Sequence, residues 1–301
     1  MGTVWELDFY SRPVFDENNK KRWEILICEG LQSVDDDPEK LFRYSKYVSN
    51  SEVNSETLQV AIEDAIAQAD SKAVASPTKV RYFRYQMQNM IKRACEEAGL
   101  LPYPSRRTLA LQQWIEDRKE NVYPNEPGYK ASASASVAKP LEVVNPLPDA
   151  LMGQQWALVT LPAKEFADMG EWDVAFGESF PLETVGVEAD TPIPGFIIYS
   201  NRATPLAAWM SGLEIAAVRA GKEESTNYIS KNTATARLLM DTGTIETWLL
   251  ADLVTPETQS EGSRFETAKA AANNVHFIAV QDSPESESFA GMWLMQSRDF
   301  G

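Results

Sequence analysis

The chain has a single histidine, His276, and only two cysteines, Cys28 and Cys95, in 301 residues. Ser-His-Asp or Cys-His catalysis would have to rest on His276 alone. That residue sits in Val275-His-Phe-Ile-Ala-Val280, an apolar run expected to be a buried strand, so its expected role is structural. Two cysteines at no metal-ligand spacing argue against a disulfide framework and against a cysteine zinc site. No apolar run approaches the roughly 18 to 20 residues of a membrane span. Gly-rich phosphate loops, dinucleotide fingerprints and kinase signatures are missing too, so neither cofactor nor metal is expected. The first residues run into Val4-Trp-Glu-Leu-Asp-Phe9 with no signal or transit character, which sets a cytoplasmic location as the expectation. Positive charge is also scarce: 28 Lys and Arg stand against 44 Asp and Glu, a net charge of −16.

That scarcity is broken once. Between Lys72 and Arg107 there are eight basic residues (Lys72, Lys79, Arg81, Arg84, Lys92, Arg93, Arg106 and Arg107) and two acids, Glu96 and Glu97. The island is also aromatic, through Lys79-Val-Arg-Tyr-Phe-Arg-Tyr-Gln86. A local reversal of charge in an acidic chain suits an anion-binding surface, and nucleic acid is the natural candidate. If residues 79 to 86 form a strand, Lys79, Arg81, Phe83 and Tyr85 share one face while Val80, Tyr82 and Arg84 share the other. Only one of these faces is then expected to be open. Guanidinium groups beside exposed rings neutralise phosphates and stack on unpaired bases. Lys92 and Arg93 on the next helix, and Arg106 and Arg107 on the one after, extend the patch. Burial of one strand face, with its arginines paired to carboxylates, is the competing expectation.

The organisation points to a mixed α/β (α+β) protein of two domains, each a mixed β-sheet with packed helices. In the first, Val4 to Tyr10, Arg22 to Cys28 and Phe42 to Val48 alternate or run apolar as strands do. A helix capped by Ser55, the strand at 79 to 86, a helix through Met87 to Cys95 stopped by Gly99, and a helix capped by Ser105 follow. Three strands, helix, strand, helix, helix suggests a ribonuclease H-like topology. Residues 1–122 form this domain, 123–150 a Pro/Ala/Ser-rich linker, and 151–301 the second domain. There, Trp156 to Leu161, Phe196 to Tyr199, Leu213 to Ala220, Asn227 to Ser230, Ala236 to Met240, Thr244 to Leu250, Val275 to Val280 and Met292 to Gln296 are strand-like. Phe265 to Ala272 is helical.

Two further constellations bear on chemistry. Glu6 and Asp8 share a face of the first strand, and Glu24 joins them in a suitable register; three carboxylates on such a sheet would bind magnesium in a nuclease. A solvated sheet face, partly paired with Arg12, Arg22 or Arg81, is the plainer alternative. In Ser200-Asn-Arg-Ala-Thr-Pro-Leu206, Thr204 and Pro205 mark a helix start, and Arg202 with the free amides of the first turn would make an anion site. Ordinary capping is the alternative there.

Several segments carry a resemblance. Trp5-Glu-Leu-Asp-Phe-x-Ser-Arg-Pro13, Arg81-Tyr-Phe-Arg-Tyr-Gln-Met87, Lys92 to Glu97 and Pro104-Ser-Arg106 are four of them. Pro205-Leu-Ala-Ala-Trp-Met-x-Gly-Leu-Glu214 and His276-Phe-Ile-Ala-Val-Gln-Asp282 are two more. Together they resemble the Tab/Atab family of RNA-binding proteins over nearly the whole chain outside the Ala/Ser stretch. Algal and plant members of that family bind the 5′ untranslated region of a photosystem I messenger. For this chain the resemblance implies a protein, not an enzyme, that binds single-stranded RNA in the 5′ untranslated region of a photosystem messenger. It further implies promotion of translation; ribosomes or translation factors are expected as further partners, and the want of transit character makes the cyanobacterial counterpart the expectation. RNA-binding residues are expected at Lys79, Arg81, Phe83, Arg84, Tyr85, Lys92, Arg93, Arg106 and Arg107, with Arg12 and Arg202 as additions. The rival readings are a metal-dependent nuclease using Glu6, Asp8 and Glu24, and an assembly factor whose acidic remainder binds basic proteins.

Overall fold

A computed structural model describes residues 3–131, 143–151, 153–222 and 236–298. The expected strand at Asn227 to Ser230 and most of the Ala/Ser-rich stretch lie outside these. The described residues form two compact units, the first of residues 3–31 and 37–131 and the second of residues 32–36, 143–151, 153–222 and 236–298.

The first unit is built on β1 (Thr3–Phe15), β2 (Lys21–Glu29), β3 (Arg43–Val48), β4 (Pro77–Tyr82) and β5 (Leu101–Pro104). They lie in the order β3-β2-β1-β4-β5, with β1 antiparallel to β2 and parallel to β4. This is the ribonuclease H-like order. Helix α1 (Ser55–Ser71) starts where the Asn54 side chain accepts from the Thr57 amide at 2.7 Å, so the cap is Asn54 rather than Ser55. Its stripe of Leu58, Ala61, Ile62, Ala65 and Ala69 is buried, as are Ile91, Ala94 and Cys95 of α2 (Gln88–Glu97). Both pack with Trp5, Leu7, Phe9, Ile25 and Ile27, the odd-numbered face of β1 and β2. Gly99 ends the α2 segment at φ +75°, a conformation that costs glycine nothing.

Helix α3 (Leu109–Asp117) covers the opposite face of the sheet. It runs directly into a π-helical turn, Arg118–Val122, and then into Tyr123. Beneath it lie polar residues that are nonetheless buried: Glu6, Asp8, Arg12 and Glu24 on β1 and β2, with Arg81 on β4. The solvated face anticipated for these carboxylates is therefore an interior layer.

The second unit has two sheets. One has the order β7-β9-β13-β14-β8, from β7 (Gln155–Pro162), β8 (Val174–Glu178), β9 (Pro192–Tyr199), β13 (Val275–Gln281) and β14 (Phe289–Gln296). The other has the order β10-β11-β12-β6, from β6 (Val143–Pro146), β10 (Ile215–Lys222), β11 (Ala236–Thr242) and β12 (Glu246–Leu253). Helices α4 (Ala203–Ser211) and α5 (Pro256–Ala271) contribute Leu206, Ala207, Met210 and Phe265 to the shared core. β6 falls within 123–150, as does Tyr123, which is 1% exposed and belongs to the first unit's interior. The stretch read as linker thus contributes structure to both units.

His276 is fully buried on β13. Its Nε2 accepts from the Val218 amide at 2.8 Å, and its Nδ1 lies 3.0 Å from the Asn274 carbonyl, to which it donates. The ring ties β13 to β10 as a neutral imidazole. Burial, with Lys269 nearby, pushes its pKa down to about 3.

Candidate nucleic-acid interface

Parallel strands direct their carboxyl ends to one edge of a sheet, where open α/β folds bind ligands. In the first unit β1, β4 and β5 do so. Ser105 follows β5, and its amide donates to the carbonyl of Tyr82, the last residue of β4, at 2.8 Å. The segments Phe83-Arg84-Tyr85 and Ser105-Arg106-Arg107 therefore leave neighbouring strand ends. The first turns into α2 through a 3-10 turn, Tyr85–Met87, and the second into α3.

β4 ends at Tyr82, so the alternation expected through residue 86 stops there. Over Val80–Tyr82 neither face of the strand is open. Val80 and Tyr82 lie in the core with α1 and α2, while Arg81 is 1% exposed beneath the polar layer, opposite Glu6 on β1. Arg81 is thus an internal residue and not part of the surface on which the charge pattern put it. Arg12 is internal for the same reason, at 4% exposure.

Arg12 belongs to a buried charge network. Its Nη2 is 2.9 Å from Asp8 Oδ2, and its Nε is 2.9 Å from Glu24 Oε2. Asp8 Oδ1 accepts from Arg84 Nε at 2.6 Å, and Oδ2 lies 3.3 Å from Arg84 Nη2. Glu24 also accepts from Arg118 and, at 2.6 Å, from the Tyr123 hydroxyl. Burial alone would raise the Asp8 pKa, but Arg84 and Arg12 beside it hold the carboxyl below the usual range. Burial alone would lower the Arg12 pKa, and Asp8 overturns that too, so the guanidinium stays charged. Glu6 Oε2 accepts from the Leu111 amide at 2.7 Å, the first turn of α3. All three carboxylates weighed as magnesium ligands are thus engaged by guanidinium, hydroxyl or amide donors. Among the described residues no cluster of His, Cys, Asp and Glu has the arrangement to hold a metal.

What reaches the surface is a smaller set. Tyr85 is 38% exposed, and Phe83, Arg106 and Arg107 are half-buried beside it. Arg84 lies beneath, its guanidinium carbon 3.8 Å from the centre of the Tyr10 ring and 4.8 Å from that of Phe83. Lys79 sits over Tyr103 at 4.3 Å. Lys92 and Arg93 are exposed on α2, each near a carboxylate one turn on, Glu96 at 3.9 Å and Glu97 at 2.9 Å. Such exposed pairs are worth about 1 kcal/mol or less, and a phosphate competes with them readily.

Sequence reasoning missed Tyr10, Arg118 and Tyr123. For Arg118 a signal existed: it continues the stripe Leu111, Trp114, Ile115, where an arginine implies a buried acid to receive it.

The second unit repeats one construction. Ser200 follows β9, its amide donates to the carbonyl of Gln281 at the end of the parallel β13 at 2.9 Å, and its hydroxyl accepts from Arg202 N at 3.1 Å. Ser105 does the same with Tyr82 and with Arg107 N at 3.0 Å. Arg202 is exposed as the residue before α4. Pro205 falls in the first turn of that helix, where a missing N–H costs nothing.

Comparison with known proteins fits this architecture. The N-terminal domain of "RNA-binding protein Tab2/Atab2" matches residues 4–118 and its C-terminal domain residues 134–296. The chain is 36% identical over 297 residues to "Protein TAB2 homolog, chloroplastic" of Zea mays, covering 97% of this chain and 70% of that protein. It is 35% identical over 298 residues to the protein of the same description in Arabidopsis thaliana, covering 97% and 74%. No solved structure matches. The fold and the matches together define an RNA-binding protein of two mixed α/β domains. The chain belongs to the Tab2/Atab2 family, and its function is that of an RNA-binding translation factor.

Proposed function

We propose that the chain promotes translation of a photosystem messenger by holding its 5′ untranslated region, without itself cleaving RNA, in concert with the ribosome or translation factors. The observation that carries the site is the convergence of Tyr85, Phe83, Arg106 and Arg107 on one strand-end edge of an otherwise acidic protein. Rings there stack on unpaired bases, and the flanking Lys79, Lys92, Arg93, Arg106 and Arg107 neutralise phosphates. Arg202, in the same strand-end position of the second unit, supplies a further phosphate contact. The buried, unpaired thiols of Cys28 and Cys95 suit the reducing cytoplasm.

Crosslinking and sequencing of RNA bound in a photosynthetic host tests the target: enrichment of photosystem 5′ leaders is expected, and a uniform spread over messengers would reject it. For the site, a Lys92→Glu/Arg106→Glu/Arg107→Glu variant should bind such a leader at least about tenfold more weakly, with a flatter salt dependence. Unchanged affinity would move the interface elsewhere.

A further inference from the structure

We infer that Asp8 is the positioning residue of this interface: from inside the sheet it fixes the Phe83–Tyr85 segment so that an unpaired RNA base stacks on Tyr85. The inference rests on the RNA-binding reading of that edge. Charge alone argues against a carboxylate here, because a negative group under a surface for a polyanion repels the ligand. Asp8 is nonetheless fully buried below that surface, at the middle of β1. Its two oxygens take Nε and Nη2 of Arg84 as a fork, and one of them also takes Arg12. A fork of this kind fixes the guanidinium plane as well as its position. Tyr10 covers that plane at 3.8 Å, so two directions of Arg84 are already used and its side chain is only 12% exposed.

Arg84 is therefore better suited to hold the segment than to meet a phosphate. Its carbonyl accepts from the Met87 amide at 3.1 Å, which closes the 3-10 turn on which Tyr85 is carried. A ring presented on a segment already held in place spares the complex the entropy of ordering it. Asp8, Arg84 and Tyr85 thus form a chain from the sheet interior to the exposed ring of the edge.

The two ideas predict opposite signs. Removing a negative charge without disturbing the segment tightens RNA binding, whereas removing an anchor weakens it. Full-length wild-type, Asp8→Asn, Arg84→Lys, Tyr85→Ala and Asp8→Asn/Tyr85→Ala proteins would be titrated with a fluorescent single-stranded oligoadenylate over a range of salt. Asp8→Asn should weaken binding roughly tenfold with the salt slope unchanged, since no phosphate contact is lost. Arg84→Lys keeps the charge and loses the fork, so it should do the same, and it stands in should Asp8→Asn fail to fold. In the Asp8→Asn background, Tyr85→Ala should cost little more. Affinity equal to or tighter than wild type in both anchor variants, while Tyr85→Ala weakens binding, overturns the role of Asp8 and leaves the interface standing. Fully additive losses in the double variant overturn it as well. Binding indifferent to Tyr85→Ala removes the interface and this role together.

Discussion

Asp8 and Arg84 meet inside the first unit, Oδ1 to Nε at 2.6 Å, although 76 residues separate them in the chain. The pair joins the central strand of the sheet to the segment that leaves β4, and through Arg12 it reaches Glu24 on β2. Removing one member of a buried pair leaves the other charge without compensation, which typically costs about 3 to 5 kcal/mol.

Acid should loosen this unit in a defined window. The folded-state pKa of Asp8 lies below its ordinary value of 3.8, so its contribution is complete above that value and is lost as pH falls through the lower, folded one. Denaturant unfolding followed from pH 5 downward is expected to show that loss. Asp8→Asn should lack this part of the acid dependence, and an unchanged acid profile in the variant would count against the pairing.

Arg81 and Arg107 should behave differently although both belong to the basic island. Arg81 lies at 1% exposure, and Arg81→Glu exchanges a buried cation for a buried anion; loss of folding by about 3 kcal/mol or more is expected in thermal or urea melts. Arg107 is half-buried at the edge, and Arg107→Glu should leave the melting temperature within a few degrees while weakening RNA binding. The reverse ranking would show that the sheet does not enclose Arg81.

His276 acts in the second unit. Its folded pKa of about 3 lies under the ordinary 6.5, so the imidazole stabilises fully above 6.5 and progressively less as pH falls toward 3, where the folded form also takes a proton. The slope in that window is at most about 1.4 kcal/mol per pH unit from this one group. His276→Gln should flatten it, as read from unfolding free energies between pH 7 and 4.

The two thiols should be inert in the native protein. Burial pushes the Cys95 thiol up to about 12 and raises Cys28 well above its usual value, so little thiolate exists near neutrality. A thiol-titrating disulfide reagent should count none at neutral pH and both in denaturant. Rapid reaction in native buffer would show that this interior opens.

Much of the first unit was readable. Period-2 alternation in Trp5, Leu7 and Phe9, and the Leu58, Ile62, Ala65 and Ala69 stripe, report burial on one side, and burial is what the structure uses them for. β5 escaped because Leu-Pro-Tyr-Pro is short and rich in proline, and proline argues against a strand unless the strand lies at an edge. The first half of α5 escaped as well: Pro256 to Ser263 is polar, yet Thr255 caps it, with its hydroxyl 3.3 Å from the Thr258 amide. Charge was the harder matter. Composition places a cation in a segment but does not say which side of a sheet covers it: Arg12 lies inside paired with Asp8 and Glu24, and Arg81 is enclosed opposite Glu6 of the neighbouring strand. The edge that carries Tyr85 and Arg107 was legible as a segment but not as a surface. It depends on β5, whose pairing brings residues 83 and 106 to neighbouring strand ends.

β5 is also the open margin of its sheet, with β4 on one side only. Alternate residues of a strand point their N–H groups the same way, and Pro102 and Pro104 have none. Both missing donors belong to one side of the strand, and since β5 keeps its ladder to β4, that side faces outward. A strand from another molecule would find two of its acceptors unanswered there. Leu101 is 59% exposed at the start of this margin and would otherwise invite such pairing. Proline thus guards against edge-to-edge aggregation at the strand immediately before Arg106 and Arg107.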